Sequence, residues 1–75
     1  MQNWRAIANL QYGKDALVIL GESQFQVSNI YQEAFLEVIH PDLHATCEGI
    51  TLQKWQGKPT RGRWVDVGTL KIPGC

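Results

Sequence analysis

The chain is poor in the residues that could stabilise a small protein covalently. Its 75 residues include only two cysteines, Cys47 and Cys75, so at most one disulfide can form within the chain. Cys75 is the last residue, where a backbone is usually frayed, and we expect no disulfide framework. One core in a chain of this size supplies roughly 3 to 5 kcal/mol of net stability. We therefore expect residues 1–75 to form one domain that gains stability as a homodimer.

Long apolar segments are also missing. The longest strongly apolar run, residues 16–20, is far too short to cross a bilayer. The first ten positions lack the basic and apolar regions of a secretory signal. These features predict a cytoplasmic protein with free thiols and no membrane partner.

The chain has no excess charge of either sign, but its charges are segregated. Residues 1–50 carry two basic and six acidic side chains, a net charge of −4, whereas residues 51–75 carry five basic and one acidic, a net charge of +4. A neutral total argues against a dedicated nucleic-acid-binding protein. The segregation predicts that the basic half attracts an anionic partner or the acidic half of a second copy.

The first third of the chain predicts a β-hairpin. Positions 3–10 alternate between apolar and polar residues, which is the period of a half-buried strand. The run at 16–20 is apolar throughout and favours a buried central strand. Turn-forming residues at 12–15 join the two.

A helix is predicted over residues 28–39. Ser28 or Asn29 can serve as its N-cap, and Gln32 follows Asn29 at capping-box spacing. Pro41 disfavours helical backbone in the residue before it, so the helix should end near Ile39. Apolar residues at three- and four-residue spacing predict its buried stripe: Ile30, Tyr31, Ala34, Phe35, Val38 and Ile39.

The last third predicts a second hairpin that turns at residues 57–62. Strand alternation places Ile50 and Leu52 on the inward face. On the return strand Val65 and Val67 share the inward parity, but Leu70 and Ile72 have the opposite parity. We therefore predict a β-bulge at Gly68. The same alternation turns Trp55 and Trp64 outward as neighbours.

These elements together predict an α+β fold. The expected architecture is a small single domain, β-β-α-β-β, with an antiparallel sheet packed on one helix. The alternative is a small SH3-like β-barrel that holds the one helix as a plug. Neither architecture specifies a function by itself.

The segment most typical of a binding surface is KWQGKPTRGR at residues 54–63, followed by Trp64. It has four basic residues and no acidic one. Trp and Arg are enriched at protein interfaces, so we predict a non-enzymatic interaction or adaptor module whose partner is a protein or a second copy. Single-stranded nucleic acid is the alternative partner, because aromatic rings stack on bases. A third interpretation places both tryptophans under the helix or across a dimer seam and leaves the basic tip merely solvated. The predicted contact residues are Trp55, Lys58, Arg61, Arg63 and Trp64.

The segment from His40 to Glu48 collects side chains that bind metals or act as nucleophiles. His40, His44 and Cys47 are its candidates for a metal site or for thiol-dependent chemistry. No CxxC or HExxH spacing accompanies them, and Pro41 interrupts the backbone. We therefore predict no bound metal, no cofactor and no catalytic residue, and keep this segment only as a remote alternative.

Overall fold

Four antiparallel strands and one α-helix make up the computed structural model, which describes residues 2–11 and 14–73. The elements are β1 (Trp4–Leu10), β2 (Ala16–Gly21), α1 (Gln24–Val38), a 3-10 helix (Pro41–Thr46), β3 (Cys47–Lys58) and β4 (Arg61–Leu70). The predicted α+β class and element order are confirmed. Part of the predicted turn at 12–15, and the predicted frayed end at Cys75, lie outside the described residues.

The sheet is open, with the strand order β2-β1-β3-β4. The alternative of a closed barrel is therefore wrong. The central strands β1 and β3 pair Ala6 with Leu52 and Ala8 with Ile50, and all four side chains are buried. Alanine on β1 leaves room for larger side chains from the helix, which is how a small sheet and a helix fill a common core.

The apolar run at 16–20 forms β2, which is an edge strand and not the predicted central strand. The pairing between β1 and β2 shifts so that Val18 has no partner, and Val18 is buried while Leu17 is 45% exposed. A β-bulge changes which face successive residues occupy. The continuous apolar run thus reflects this bulge and not burial on both faces.

Helix α1 begins at Gln24, four residues before the predicted start. Ser23 is the N-cap, and its Oγ accepts a hydrogen bond of 3.0 Å from the backbone N–H of Gln26. The Gln26 side chain reaches back and accepts a 2.8 Å bond from the N–H of Glu22. Ser23 and Gln26 have capping-box spacing, and this pair, not the one that begins at Asn29, sets the start of the helix.

The helix packs on β2 and β1 through a narrow stripe. Val27, Tyr31 and Phe35 are its buried residues, and Ile39 follows as the buried C-cap. The predicted burial of Ile30 and Val38 is wrong: they are 36% and 53% exposed, because the stripe lies about one residue position around the helix from the predicted one. No helix in the described ranges has the length and apolarity needed to cross a membrane.

The β-bulge predicted in β4 exists, but its extra residue is Val67 and not Gly68. Leu52 pairs with Gly68 and Gln53 pairs with Asp66, so Val67 lies between two pairs without a partner. Val67 is 47% exposed, and its predicted inward position is wrong. Both edge strands, β2 and β4, therefore carry a bulge, which discourages pairing with other chains.

Candidate functional site

The hairpin of β3 and β4 extends past the end of β1. The pairing of β1 with β3 begins at Trp4 opposite Lys54, and the N–H of Trp55 donates to the carbonyl of Asn3 at 2.7 Å. Beyond this point the two hairpin strands pair only with each other within the described residues. We call residues 55–64 the arm.

Two glycines make the arm a continuous pair of strands up to its tip. The predicted turn over 57–62 is shorter, since Gly57 pairs with Gly62 and only Pro59 and Thr60 form the loop. Gly57 has a φ of 107°, a conformation that favours glycine. A Cβ at Gly62 would lie 2.5 Å from Nε1 of Trp55, so this indole covers the glycine closely.

Trp55 and Trp64 are direct cross-strand partners on the face of the sheet opposite α1. Their ring centroids are 5.4 Å apart with an interplanar angle of 73°, the edge-to-face geometry that aromatic pairs favour. The Trp55 N–H donates to the carbonyl of Lys58 at 3.1 Å. Both rings are half-buried against each other and the arm, so the interpretation that places them in the core beneath the helix does not hold.

Arg5 completes this aromatic face, and no pattern in the sequence had marked it as a candidate. Its guanidinium carbon lies 4.2 Å from the ring centroid of Trp64, a cation–π contact. Its Nε donates to the Gln53 side chain at 2.7 Å, and Gln53 donates in turn to Asp66 at 2.7 Å. Partial burial lowers the pKa of the Arg5 guanidinium, which stays charged at neutral pH.

The four basic side chains of the hairpin lie on the face of the sheet opposite the tryptophan pair or at the tip of the arm. Arg61 and Arg63 flank Gly62, whose missing Cβ points at Trp55, so alternation directs both away from the tryptophans. Lys54 shares the face of Leu52, and its Nζ lies 5.3 Å from the Trp4 ring centroid. All four are exposed and none forms an ion pair within the described ranges. We call Lys54, Lys58, Arg61 and Arg63 the cationic face.

The five predicted contact residues are therefore brought together in one arm but not on one surface. Trp55 and Trp64 form its aromatic face, and Arg61 and Arg63 lie on the opposite face with Lys58 at the tip. The reason is the period of two along each strand. Trp64 lies between Arg63 and Val65 in sequence, and neighbours in a strand face opposite ways.

No protein-family model, curated protein or solved structure matches this chain. Besides the arm, the described residues offer other candidate sites. Those sites are the connection from His40 to Cys47 and one groove at the other end of the sheet.

The two histidines of the connection have structural partners. His40 Nδ1 accepts the backbone N–H of Asp42 at 3.2 Å, which caps the 3-10 helix. His44 Nε2 donates to the carbonyl of Ile39 at 3.0 Å, and the ring centroids of His44 and Phe35 are 5.0 Å apart. These contacts fix both imidazoles locally.

Cys47 is a buried free thiol at the start of β3. Its Sγ donates a 3.4 Å hydrogen bond to the carbonyl of Gly49. In residues 2–11 and 14–73 no group of three or more His, Cys, Asp or Glu side chains is close enough to hold a metal ion. The candidates His40, His44 and Cys47 therefore do not converge on a common point.

A shallow groove of about 570 Å³ lies where β3 begins and β4 ends, far from the arm. Apolar and hydroxyl side chains line it, and Glu48 is its only charged residue. A lone exposed carboxylate without a second titratable group offers no acid–base pair.

Proposed function

We propose that this chain is a non-enzymatic interaction module whose arm binds an acidic protein surface. The observation that carries the proposal is the cationic face: four exposed cations on a projecting hairpin, none with a carboxylate partner in the described residues. Asp66, the acidic residue nearest to the arm in β4, is bound to Gln53 on the other face, and Glu48 lies at the far end of β3. The cations thus present an uncompensated positive surface to a partner.

The tryptophan pair stiffens the arm in this proposal. A hairpin of two strands alone is marginally stable, and the edge-to-face indoles are worth about 0.5 to 1.5 kcal/mol beyond their burial. Trp55 also covers Gly62 and binds the backbone at Lys58, which fixes the tip. A rigid arm loses less conformational entropy when it binds, so Trp55 and Trp64 support affinity without carrying the charge.

A protein partner fits the arm better than single-stranded nucleic acid does. Binding of a single strand requires bases on the aromatic rings and phosphates on nearby cations at the same time. In this arm the rings and Arg61 and Arg63 face opposite ways, and Arg5 occupies one side of the Trp64 ring. The neutral total charge also removes the long-range attraction for a polyanion.

The setting that we propose is the cytoplasm. Cys47 is a free thiol, and an interaction carried by exposed lysine and arginine needs no disulfide or metal to assemble. The connection from His40 to Cys47 provides packing and caps in this proposal and takes no part in binding.

The proposal is tested by cross-linking the full chain in its native cells. A photo-reactive amino acid at Thr60, in the loop of the arm, should form adducts with a protein partner. The variant Arg61→Glu with Arg63→Glu should lose these adducts, because it reverses two charges of the cationic face. The control, Lys14→Glu with Lys71→Glu, changes the net charge by the same amount at exposed sites away from the arm and should retain them.

Two results would overturn the proposal. Adducts that persist in the arm variant would show that the cationic face does not select the partner. Adducts that disappear on nuclease treatment, together with a salt-dependent anisotropy change of a labelled single-stranded oligonucleotide, would establish the nucleic-acid alternative. Circular dichroism of each purified variant shows whether the fold is retained.

A further inference from the structure

The outward face of α1 is acidic and apolar. Glu33 and Glu37 are exposed and one turn apart, and the helix contains no lysine or arginine. Phe25 is 78% exposed and Leu36 is 54% exposed on the same side of the helix, away from the sheet. We call these four residues the acidic face. Large apolar side chains among charges are typical of a surface that another protein covers.

The arm of the same molecule does not cover this face. Helix α1 packs on β2 and β1, whereas the arm continues β3 and β4 at the opposite edge of the sheet and beyond the end of β1. In the described residues, His40 and Asp42 are the only basic and acidic side chains that approach within 4.0 Å of each other, and neither belongs to the arm or to the acidic face. The molecule therefore carries two surfaces of opposite charge, and neither is neutralised by a side chain in residues 2–11 and 14–73.

We infer that the acidic surface bound by the arm is helix α1 of a second copy, an inference that rests on the proposed function. Side chains one helical turn apart, such as Glu33 and Glu37, have Cβ atoms roughly 5 to 6 Å apart. Alternate residues on a strand, such as Arg61 and Arg63, are about 6.6 Å apart. Two guanidinium groups can thus contact two carboxylates in register, which favours paired hydrogen bonds.

The apolar part of the acidic face strengthens this assignment. Phe25 precedes Glu33 by about 12 Å along the helix, so an arginine bound to Glu33 does not reach its ring, but the tip of the arm beyond Arg61 can. The methylene groups of Lys58 and the ring of Pro59 at the tip therefore offer apolar surface to Phe25, and the stems of the arginines offer it to Leu36.

Two-fold symmetry allows each copy to contribute both surfaces. The arm of one copy binds the helix of the other, and the same contact is repeated with the roles exchanged. The contact is then made twice in each dimer. This arrangement places the cationic face of each copy against the acidic face of the other.

The test measures the mass in solution of the purified full chain and two charge-reversal variants. The arm variant is Arg61→Glu with Arg63→Glu, and the helix variant is Glu33→Lys with Glu37→Lys. The wild type should have twice the monomer mass of 8.5 kDa at low salt and dissociate as salt rises from about 0.01 M to about 1 M, where the Debye length falls to about 3 Å. Each variant alone should dimerise at least about tenfold more weakly, because like charges then meet.

An equimolar mixture of the two variants provides the decisive measurement. The reversed arm of one faces the reversed helix of the other, and the two remaining surfaces keep their natural signs. The mixture should therefore recover a heterodimer at wild-type affinity. The variant Lys14→Glu with Lys71→Glu should dimerise like the wild type, since it changes the charge elsewhere.

Three results would overturn the inference: a monomeric wild type at low salt, variants that dimerise normally, or a mixture that stays monomeric. If a reversed variant loses its circular dichroism spectrum, Arg61→Gln with Arg63→Gln tests the same contact with a smaller change, and dimerisation at wild-type strength would count against it. A monomeric wild type together with charge-dependent cross-linking of the arm to another protein would sink this inference and leave the proposed function standing.

Discussion

At the scale of single residues, the arm depends on one close approach. Gly62 lies beneath the Trp55 indole and beside the carbonyl of Gln56, and a Cβ there would come within 2.5 Å of each. Real Cβ atoms do not tolerate such distances, so the ring or the strand would have to move. A Cβ added at Gly68, on the same strand, would meet no atom of the described residues within 4 Å. The two glycines therefore differ in what they contribute.

Gly62→Ala should destabilise the protein by about 1 to 3 kcal/mol, because it forces Trp55 out of its packing. Urea unfolding measures this loss, and the near-ultraviolet circular dichroism of the tryptophan pair should change with it. Gly68→Ala is the control and should be neutral or slightly stabilising, since alanine restricts the unfolded chain more than glycine does. Equal effects of the two substitutions would show that Trp55 does not lie over Gly62.

Arg5 contributes at the same scale by linking the central strand to the arm. It contacts Trp64 through the face of its guanidinium and Gln53 through Nε. Arg5→Lys keeps the charge but loses the planar group and the fixed donor, so the two residues are not interchangeable here.

Arg5→Lys should lower the free energy of unfolding by about 0.5 to 1.5 kcal/mol, through the loss of one cation–π contact and one hydrogen bond. Thermal unfolding checks this value. The matched control is Lys54→Arg on the neighbouring strand, which preserves the cation over Trp4 and should leave stability within about 0.5 kcal/mol. A neutral Arg5→Lys would mean that the contact with Trp64 contributes no stability.

At the scale of elements, the start of α1 shows how a local signal sets a boundary. The Ser23 side chain accepts the N–H of Gln26, which has no partner within the first turn of the helix, and the Gln26 side chain accepts the N–H of Glu22 just before the helix. The later candidates, Ser28 and Asn29, lie inside the helix. The N–H groups near them are bonded within the helix, so these side chains cannot act as caps. The helix therefore begins at the earlier capping residue, because the additional turn buries Val27 against the sheet and so is stabilised.

Ser23→Ala should cost about 1 kcal/mol of stability through the lost cap. Chemical denaturation measures the loss, and helical circular dichroism should decrease slightly as the first turn frays. Ser28→Ala, within the helix, should be neutral or stabilising because alanine has the higher helix propensity. The opposite order of effects would place the start of the helix at residue 28 after all.

At the scale of the whole molecule, the helix and sheet share one core, and the arm extends beyond it. The buried stripe of α1 lies on β2 and β1, and Tyr31 ties the helix to the segment after β4 by donating to the carbonyl of Lys71 at 2.9 Å. The core that stabilises the fold therefore lies between helix and sheet, and the arm proposed to bind a partner lies outside it. Phe35 and Phe25 mark the two sides of α1, one fully buried and the other largely exposed.

Phe35→Ala should cost about 3 to 5 kcal/mol, which equals most of the stability expected for a domain of this size, so the variant should be largely unfolded. Phe25→Ala should leave monomer stability within about 0.5 kcal/mol. Unfolding curves at low protein concentration measure both. If the second copy binds as inferred, Phe25→Ala should also weaken dimerisation, which sedimentation detects, whereas a loss of monomer stability would mean that Phe25 belongs to the core.

By itself the sequence determined the local features of this protein. Strand alternation predicted both hairpins and the shared face of Trp55 and Trp64, and Pro41 predicted the end of the helix. It also showed that the basic residues cluster in one hairpin. These features depend on neighbours in the chain, which steric and hydrogen-bonding rules govern directly.

Only the tertiary structure decided which strands lie at the edges, which part of the sheet the helix covers and which cation reaches the tryptophans. Arg5 and Gln53 are 48 positions apart and meet only because β1 pairs with β3. Alternation shows that a strand has two faces, but the shared burial of helix and sheet selects the face that becomes the core. The separation of the aromatic face from the cationic face follows from that choice, because contacts between distant segments fix it and no local pattern encodes them.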